Sequence, residues 1–184
     1  MSDIANCIKK LKVEFFSYRN GVIASSLRSS GDTHKYIMGC MLPDIVKITS
    51  DICPDIDLAC SLWAEEDHRE CRIAAILLFP VDAINYEIAL EWCYGIENRE
   101  IADIICLKLL RNTSFANELW HKLLQDDKTL MQYTGLRLLV NLIDIGQVQL
   151  DDKIKSELTE FSHRSTSGLS HFASSIIIEN KMGL

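Results

Sequence analysis

Apolar residues recur at three- and four-residue spacing along nearly the whole chain, the period of an amphipathic helix. Ile4, Ile8, Leu11 and Phe15, with lysines between them, predict a helix over 4–18. Asn20-Gly21 interrupts it, and a second helix resumes at Val22. Ser29-Ser30-Gly31-Asp32 reads as a loop, residues 33–41 take no clear pattern, and Gly39 suits a turn. Pro43 fits the first turn of a helix carrying Ile45, Val46, Ile48 and Ile52. Cys53-Pro54-Asp55 ends that helix and opens the next, which carries Leu58, Ala59, Leu62 and Trp63. Asp67, with Glu70 three residues on, has the form of a capping box for a helix to Phe79. Asp82 is the expected cap of 83–94, Asn98 of 99–111, and Thr113 or Ser114 of 115–124. Asp126 or Asp127 is expected to cap a longer helix ending at Gly146, and 151–162 and 167–180 form a last pair. No Asn-Gly turn stands between alternating segments, so strands are not predicted.

The helical text repeats. Trp63, Trp92 and Trp120 stand 29 and 28 residues apart. Leu58-Ala59-Cys60-Ser61-Leu62-Trp63 matches Phe115-Ala116-Asn117-Glu118-Leu119-Trp120, and Ile88-Ala89-Leu90-Glu91-Trp92 is one residue shorter. Arg69-Glu70 and Arg99-Glu100 each follow a tryptophan and lead into an apolar run. A fixed period of this length marks stacked units, none of which buries its own apolar face alone. The expected fold is all-α, an α-solenoid of HEAT-like or armadillo-type antiparallel helix pairs. It is read as one domain over 1–184, with units most evident in 42–145, N-terminal helices in 1–30 and a C-terminal pair in 150–180. Such a stack offers a concave binding face. Recurring tryptophans and Arg-Glu pairs favour packing roles, because an active site occurs once and its residues should not recur in every unit.

Nearly half of the 184 residues are apolar and 24% are charged, which excludes a disordered chain. No apolar run is long enough for a membrane span. The opening Met1-Ser2-Asp3-Ile4 lacks the basic-then-apolar pattern of a secretory leader. Seven scattered cysteines, with no Cys-x-x-Cys, suggest reduced thiols and a cytoplasmic protein. The histidines, His163 and His171 included, do not pair with other ligands at metal spacing, so neither metal nor cofactor is expected. The net charge of −7 is uneven: residues 1–50 carry +3 and the remainder −10. An acidic body disfavours non-specific phosphate binding unless basic residues gather on one face.

Gly39-Cys40-Met41-Leu42-Pro43-Asp44-Ile45 resembles the Gly-Val-x-x-Pro entry segment of the DNA alkylation-repair family of HEAT-like DNA glycosylases. Leu58-Ala59-x-x-Leu62-Trp63, His68-Arg69-Glu70 and the following Ile-Ala-x-x-Leu-Leu helix continue the likeness. It spans roughly 20–145 and is nearest the short, divergent branch. The family's Asn-Trp-Asp-Leu-Val-Asp segment appears as Asn98-Arg99-Glu100-Ile101-Ala102-Asp103. The resemblance implies backbone binding of duplex DNA and release of cationic alkylpurines such as 3-methyladenine and 7-methylguanine. It implies that Asp103 is the carboxylate that stabilises an oxocarbenium-like sugar and places water. Arg99 stands where the family has tryptophan. Tyr133-Thr134-Gly135-Leu136-Arg137 echoes, from a different part of the repeat, an aromatic-and-arginine segment of the longer members.

Candidate contacts to the DNA backbone are Arg99, Lys35, Lys47 and Arg28, with Lys9, Lys10, Lys12 and Arg19 in the same basic stretch. His34-Lys35-Tyr36 stands just before the Gly39 turn, where an exposed tyrosine and lysine suit a backbone contact. Two classes of function stay open. One is a duplex-DNA-binding alkylpurine glycosylase; the other is a catalytically inactive helical module with a protein partner on its concave face. An Asp103 that is buried and paired with Arg99, or with an arginine of a neighbouring repeat, would speak against chemistry.

Overall fold

Helix caps set most of the element boundaries. The structure, a computed structural model, describes residues 2–181. Among the described residues there are eleven α-helices, two single 3-10 turns and no strand, an all-α helical-repeat fold. They form two compact units, Met1–Ile84 and Asn85–Leu184.

The first unit holds α1 (Ser2–Ser17), α2 (Gly21–Ser29), α3 (Leu42–Thr49), α4 (Ile56–Trp63) and α5 (Arg69–Leu78). Asn20 caps α2, its side-chain oxygen accepting from the Val22 and Ile23 amides at 3.1 and 3.2 Å. Pro43 sits in the first turn of α3, and the Asp44 carboxylate reaches back to the Met41 amide at 3.0 Å. Asp55 caps α4 through the Leu58 amide at 2.7 Å. α5 is the central helix: α1, α3 and α4 all pack on it, and every residue except Leu77 is buried.

Arg69 and Glu70, 3% and 1% exposed, are buried polar residues with a structural task. Glu70 Oε1 accepts from the Gly39 and Cys40 amides at 3.0 and 3.3 Å, and both Glu70 oxygens lie 3.1 Å from the Met38 amide. Arg69 Nη1 donates to Glu70 Oε1 at 2.8 Å and to the Cys40 carbonyl at 3.0 Å. This pair therefore supplies the hydrogen-bond partners of a buried non-helical segment, whose polar groups would otherwise be stranded. Gly39 lies at φ 79, and a Cβ there would stand 2.2 Å from the Asn20 carbonyl oxygen. The expected capping box is thus corrected: His68 is the N-cap of α5, and Glu70 turns to the 38–40 segment.

The second unit holds α6 (Tyr86–Tyr94), α7 (Arg99–Lys108), α8 (Ala116–Leu124), α9 (Thr129–Asp144), α10 (Asp152–Arg164) and α11 (Ser167–Lys181). Asn98 caps α7 as expected, its side chain accepting from the Ile101 amide at 3.0 Å. α6 begins later than predicted: 81–83 is a 3-10 turn, and Asn85, not Asp82, caps the helix. Phe115 and Lys128 occupy the N-cap positions of α8 and α9, without side-chain caps. α8 and α7 both pack on α9, and α10 pairs with α11. The core includes Ile101, Ile105, Leu109, Leu110, Trp120 and Phe161, all fully buried, each worth roughly 1.5–3 kcal/mol in removal from water. At Gly135 α9 approaches α8 closely: an added Cβ would meet Leu123 Cβ and the Trp120 carbonyl at 3.0 Å.

The three tryptophans pack. Trp92 and Trp120 are buried, and the Trp120 indole donates to Asn117 Oδ1 at 3.0 Å. Trp63 lies under the Arg72 guanidinium, 3.5 Å from its ring centre. No described helix is long and apolar enough to cross a membrane.

Candidate functional site

Arg99 and Asp103 stand one helical turn apart at the start of α7, so they share a face. Tyr133 and Arg137 are related in the same way on α9. Because α7 packs on α9, the two faces meet. Arg137 Nε donates to Asp103 Oδ1 at 2.7 Å, and Tyr133 Oη donates to the same oxygen at 2.8 Å. The Arg99 guanidinium lies over the Tyr133 ring, 5.0 Å from its centre, a cation–π contact. Arg99 is exposed and has no carboxylate partner among the described residues. Phe172 of α11 also touches the cluster, its ring 5.5 Å from that of Tyr133.

The electrostatics follow from these contacts. Burial, then the hydrogen bond to Asp103, pushes the Tyr133 phenol up to about 12, so Tyr133 donates and does not act as a base near neutral pH. The bond to Asp103 also raises Arg137 above its ordinary value. Asp103 is 35% exposed and Arg137 36%. Both contacts fall on Oδ1, and Oδ2 makes no hydrogen bond among the described residues. A cavity of about 210 Å³ opens beside the pair, lined by Arg99, Tyr133, Arg137, Gly168, Leu169 and Phe172. The carboxylate itself is not on that wall.

Asp103 thus meets one of the two conditions set against chemistry and not the other. It is paired with an arginine of the next helices, yet it is one-third exposed. The recurrence of Arg-Glu also divides. Arg69-Glu70 is buried and structural, whereas Arg99 is exposed at the cluster.

The other candidate cations lie in the first unit. Arg28 Nη2 donates to the Lys35 carbonyl at 3.4 Å, and Lys35 Nζ lies 3.9 Å from Asp67. Lys47 Nζ lies 5.7 Å from the Tyr18 ring centre. His34 is buried against Asp32, Nδ1 to Oδ1 2.6 Å. Tyr36 stacks on His68 with ring centres 4.4 Å apart, and it stays partly exposed. Arg28 and Lys35 are therefore brought together in the first unit, and Arg99 and Asp103 in the second. Sequence reasoning missed the roles of Tyr133 and Arg137 as Asp103 partners, and of Phe172. The available signal was a tyrosine and an arginine four apart on a helix otherwise rich in apolar residues. Among the described residues no group of three or more histidines, cysteines or carboxylates is placed to hold a metal.

Both helices of the cluster, α7 and α9, fall within the region matched by the family model described as DNA alkylation repair enzyme, residues 11–162. The chain belongs to the DNA alkylation repair enzyme family. The match includes all of the first unit from Leu11 onward and most of α10. It stops before α11, so Gly168, Leu169 and Phe172, which line the cavity, lie outside the matched region. Comparison with curated proteins and with solved structures returned no match.

Proposed function

We propose that this alkylation-repair protein binds duplex DNA and excises cationic alkylpurines, 3-methyladenine and 7-methylguanine, by hydrolysis of the N-glycosidic bond. The observation that carries this reading is the oriented Asp103 carboxylate. Tyr133 and Arg137 hold Oδ1, which leaves Oδ2 to face reacting atoms. An N-alkylated purine already bears positive charge. The C1′–N bond breaks with its electron pair going to the base, which leaves neutral. Positive charge then develops on the sugar, and a fixed carboxylate stabilises it. Water adds to C1′ as Oδ2 accepts its proton, which passes on to solvent. At about 4 Å and an effective dielectric near 20, a carboxylate–cation contact is worth about 4 kcal/mol, or roughly a thousandfold in rate. Arg99, Arg28, Lys35 and Lys47 are the proposed contacts to the phosphate backbone.

The Asp103–Arg137 ion pair also favours a second reading, a catalytically inactive helical module that binds a protein partner. Pairing already satisfies part of the carboxylate, and the chain is acidic overall. Base release decides between them. Methylated duplex DNA is incubated at low salt with the natural protein and with Asp103→Asn. Time-dependent release of 3-methyladenine or 7-methylguanine, reduced about 10²–10³-fold in the variant, is the expected result. No release by the natural protein overturns the glycosylase reading.

A further inference from the structure

Helix α1 is apolar on two faces, and the fold uses one. Ile8, Leu11 and Phe15 are buried in the core of the first unit. Lys9, Val13 and Phe16, at the i, i+4, i+7 spacing of a single helix face, point away from it. Val13 is 61% exposed and Phe16 54%. A three-residue turn leads into α2, which has no buried residue and carries Val22, 82% exposed, in its first turn. The Cys40 thiol donates to the Phe15 carbonyl at 3.2 Å, which brings the exposed Met41 to the same end of α1. A surface helix needs one apolar stripe to hold its place in a fold, and exposed apolar side chains within a polar rim mark a contact surface. Here the rim is basic. Residues 9–19 carry Lys9, Lys10, Lys12 and Arg19 against the single carboxylate of Glu14, and no other carboxylate occurs before Asp32. Lys12 is held by Glu65 at 2.8 Å. Lys9 and Lys10 are exposed and form no ion pair among the described residues. The Arg19 guanidinium lies over the Phe16 ring, 4.2 Å from its centre, so a cation and an exposed aromatic are offered at one point.

We infer that this face of α1, with the first turn of α2, docks an acidic amphipathic helix of a partner protein. The apolar stripe of that helix takes Val13, Phe16 and Val22, and its flanking carboxylates meet Lys9, Lys10 and Arg19. Binding of a phosphate backbone would use the cations but has no use for three exposed apolar side chains, so a protein helix fits this face better than a duplex. The rest of the chain is acidic, which repels the same partner elsewhere and confines it here. The face lies wholly in the first unit and requires neither reading of the Asp103 cluster.

The probe is a fluorescently labelled helical peptide of glutamate and leucine, with leucine at three- and four-residue spacing. It is titrated into the full chain and followed by anisotropy, with a peptide carrying lysine in place of glutamate as the control. The expected result is saturable binding of the acidic peptide that weakens as salt is raised, and no binding of the lysine peptide. Phe16→Ala weakens it about tenfold or more, and so does Lys9→Glu combined with Lys10→Glu. All three positions are exposed, so both variants keep the thermal unfolding of the natural protein. No binding of the acidic peptide, equal binding of the two peptides, or binding indifferent to either variant overturns the inference. Duplex DNA or phosphatidylserine vesicles that bind in the peptide's place, and lose affinity in Phe16→Ala, reassign the face to that surface and overturn it as well. Base release at Asp103 enters none of these readouts, so failure here and failure of the glycosylase reading are distinguishable.

Discussion

Glu70→Gln should be among the most damaging conservative changes in the first unit. The substitution keeps shape and volume but removes a buried charge. The Glu70 carboxylate receives the amides of Met38, Gly39 and Cys40 and the Arg69 guanidinium, all within 3.3 Å. Hydrogen bonds to a charged acceptor contribute about 1.5–3 kcal/mol each and neutral ones about 0.5–1.5. A loss of about 1 kcal/mol at each of four donors gives about 4 kcal/mol. Breaking one side of a buried ion pair gives a similar figure independently, about 3–5 kcal/mol. The glutamine amide also presents hydrogens to amide hydrogens if it turns the other way. The assay is equilibrium unfolding in urea, followed by tryptophan fluorescence. The expected result is a loss of about 3–5 kcal/mol in the transition of the first unit, with the slope unchanged. A loss below about 1 kcal/mol would refute the idea that Glu70 holds the 38–40 segment through its charge.

Arg137→Ala should leave stability nearly intact, within about 1 kcal/mol, because the pair is one-third exposed; the same variant should release alkylpurines at least tenfold more slowly, measured as for Asp103→Asn. A large stability loss with unchanged release would make the pair purely structural. Thiol labelling of the native protein, read by mass spectrometry, should modify Cys53 and Cys60 first, since both are exposed. Cys40, Cys71 and Cys93, whose thiols burial pushes up to about 12, and Cys106, which burial likewise holds well above the ordinary thiol range, should react only on unfolding.

The helices were legible because the apolar period is long and regular, and because Asn20, Asp55 and Asn98 act locally, on amides two or three residues ahead. The expected capping box failed because its carboxylate has a stronger distant use. Glu70 has the local form of a capping residue, but three amides some thirty residues earlier claim it. Asp82 lost to Asn85 because Pro80 begins a separate 3-10 turn. At the site, Asp103 was reached only by register with a known family. Its partners lie 30 and 34 residues away on α9, a distance that helical periodicity does not report. Phe172 is farther still, in a helix beyond the family match. The chemistry of one helix can be read from its sequence, whereas the pairing of two helix faces requires their packing.

Gly135 sits midway between Tyr133 and Arg137 on α9, facing the opposite way, with α8 at backbone contact behind it. The two donors to Asp103 and this close seam between α8 and α9 are thus front and back of the same helical turn. A methyl group at that seam would have to push α9 off α8 by a few tenths of an ångström, and Tyr133 and Arg137 would travel with it. Hydrogen bonds of 2.7 and 2.8 Å to a single oxygen would lengthen toward the outer end of the usual range with such travel. The aim of the carboxylate is therefore encoded in a residue that has no side chain and never touches it. A change at position 135 could thus disturb the Asp103 cluster of this chain while every residue of the cluster is retained.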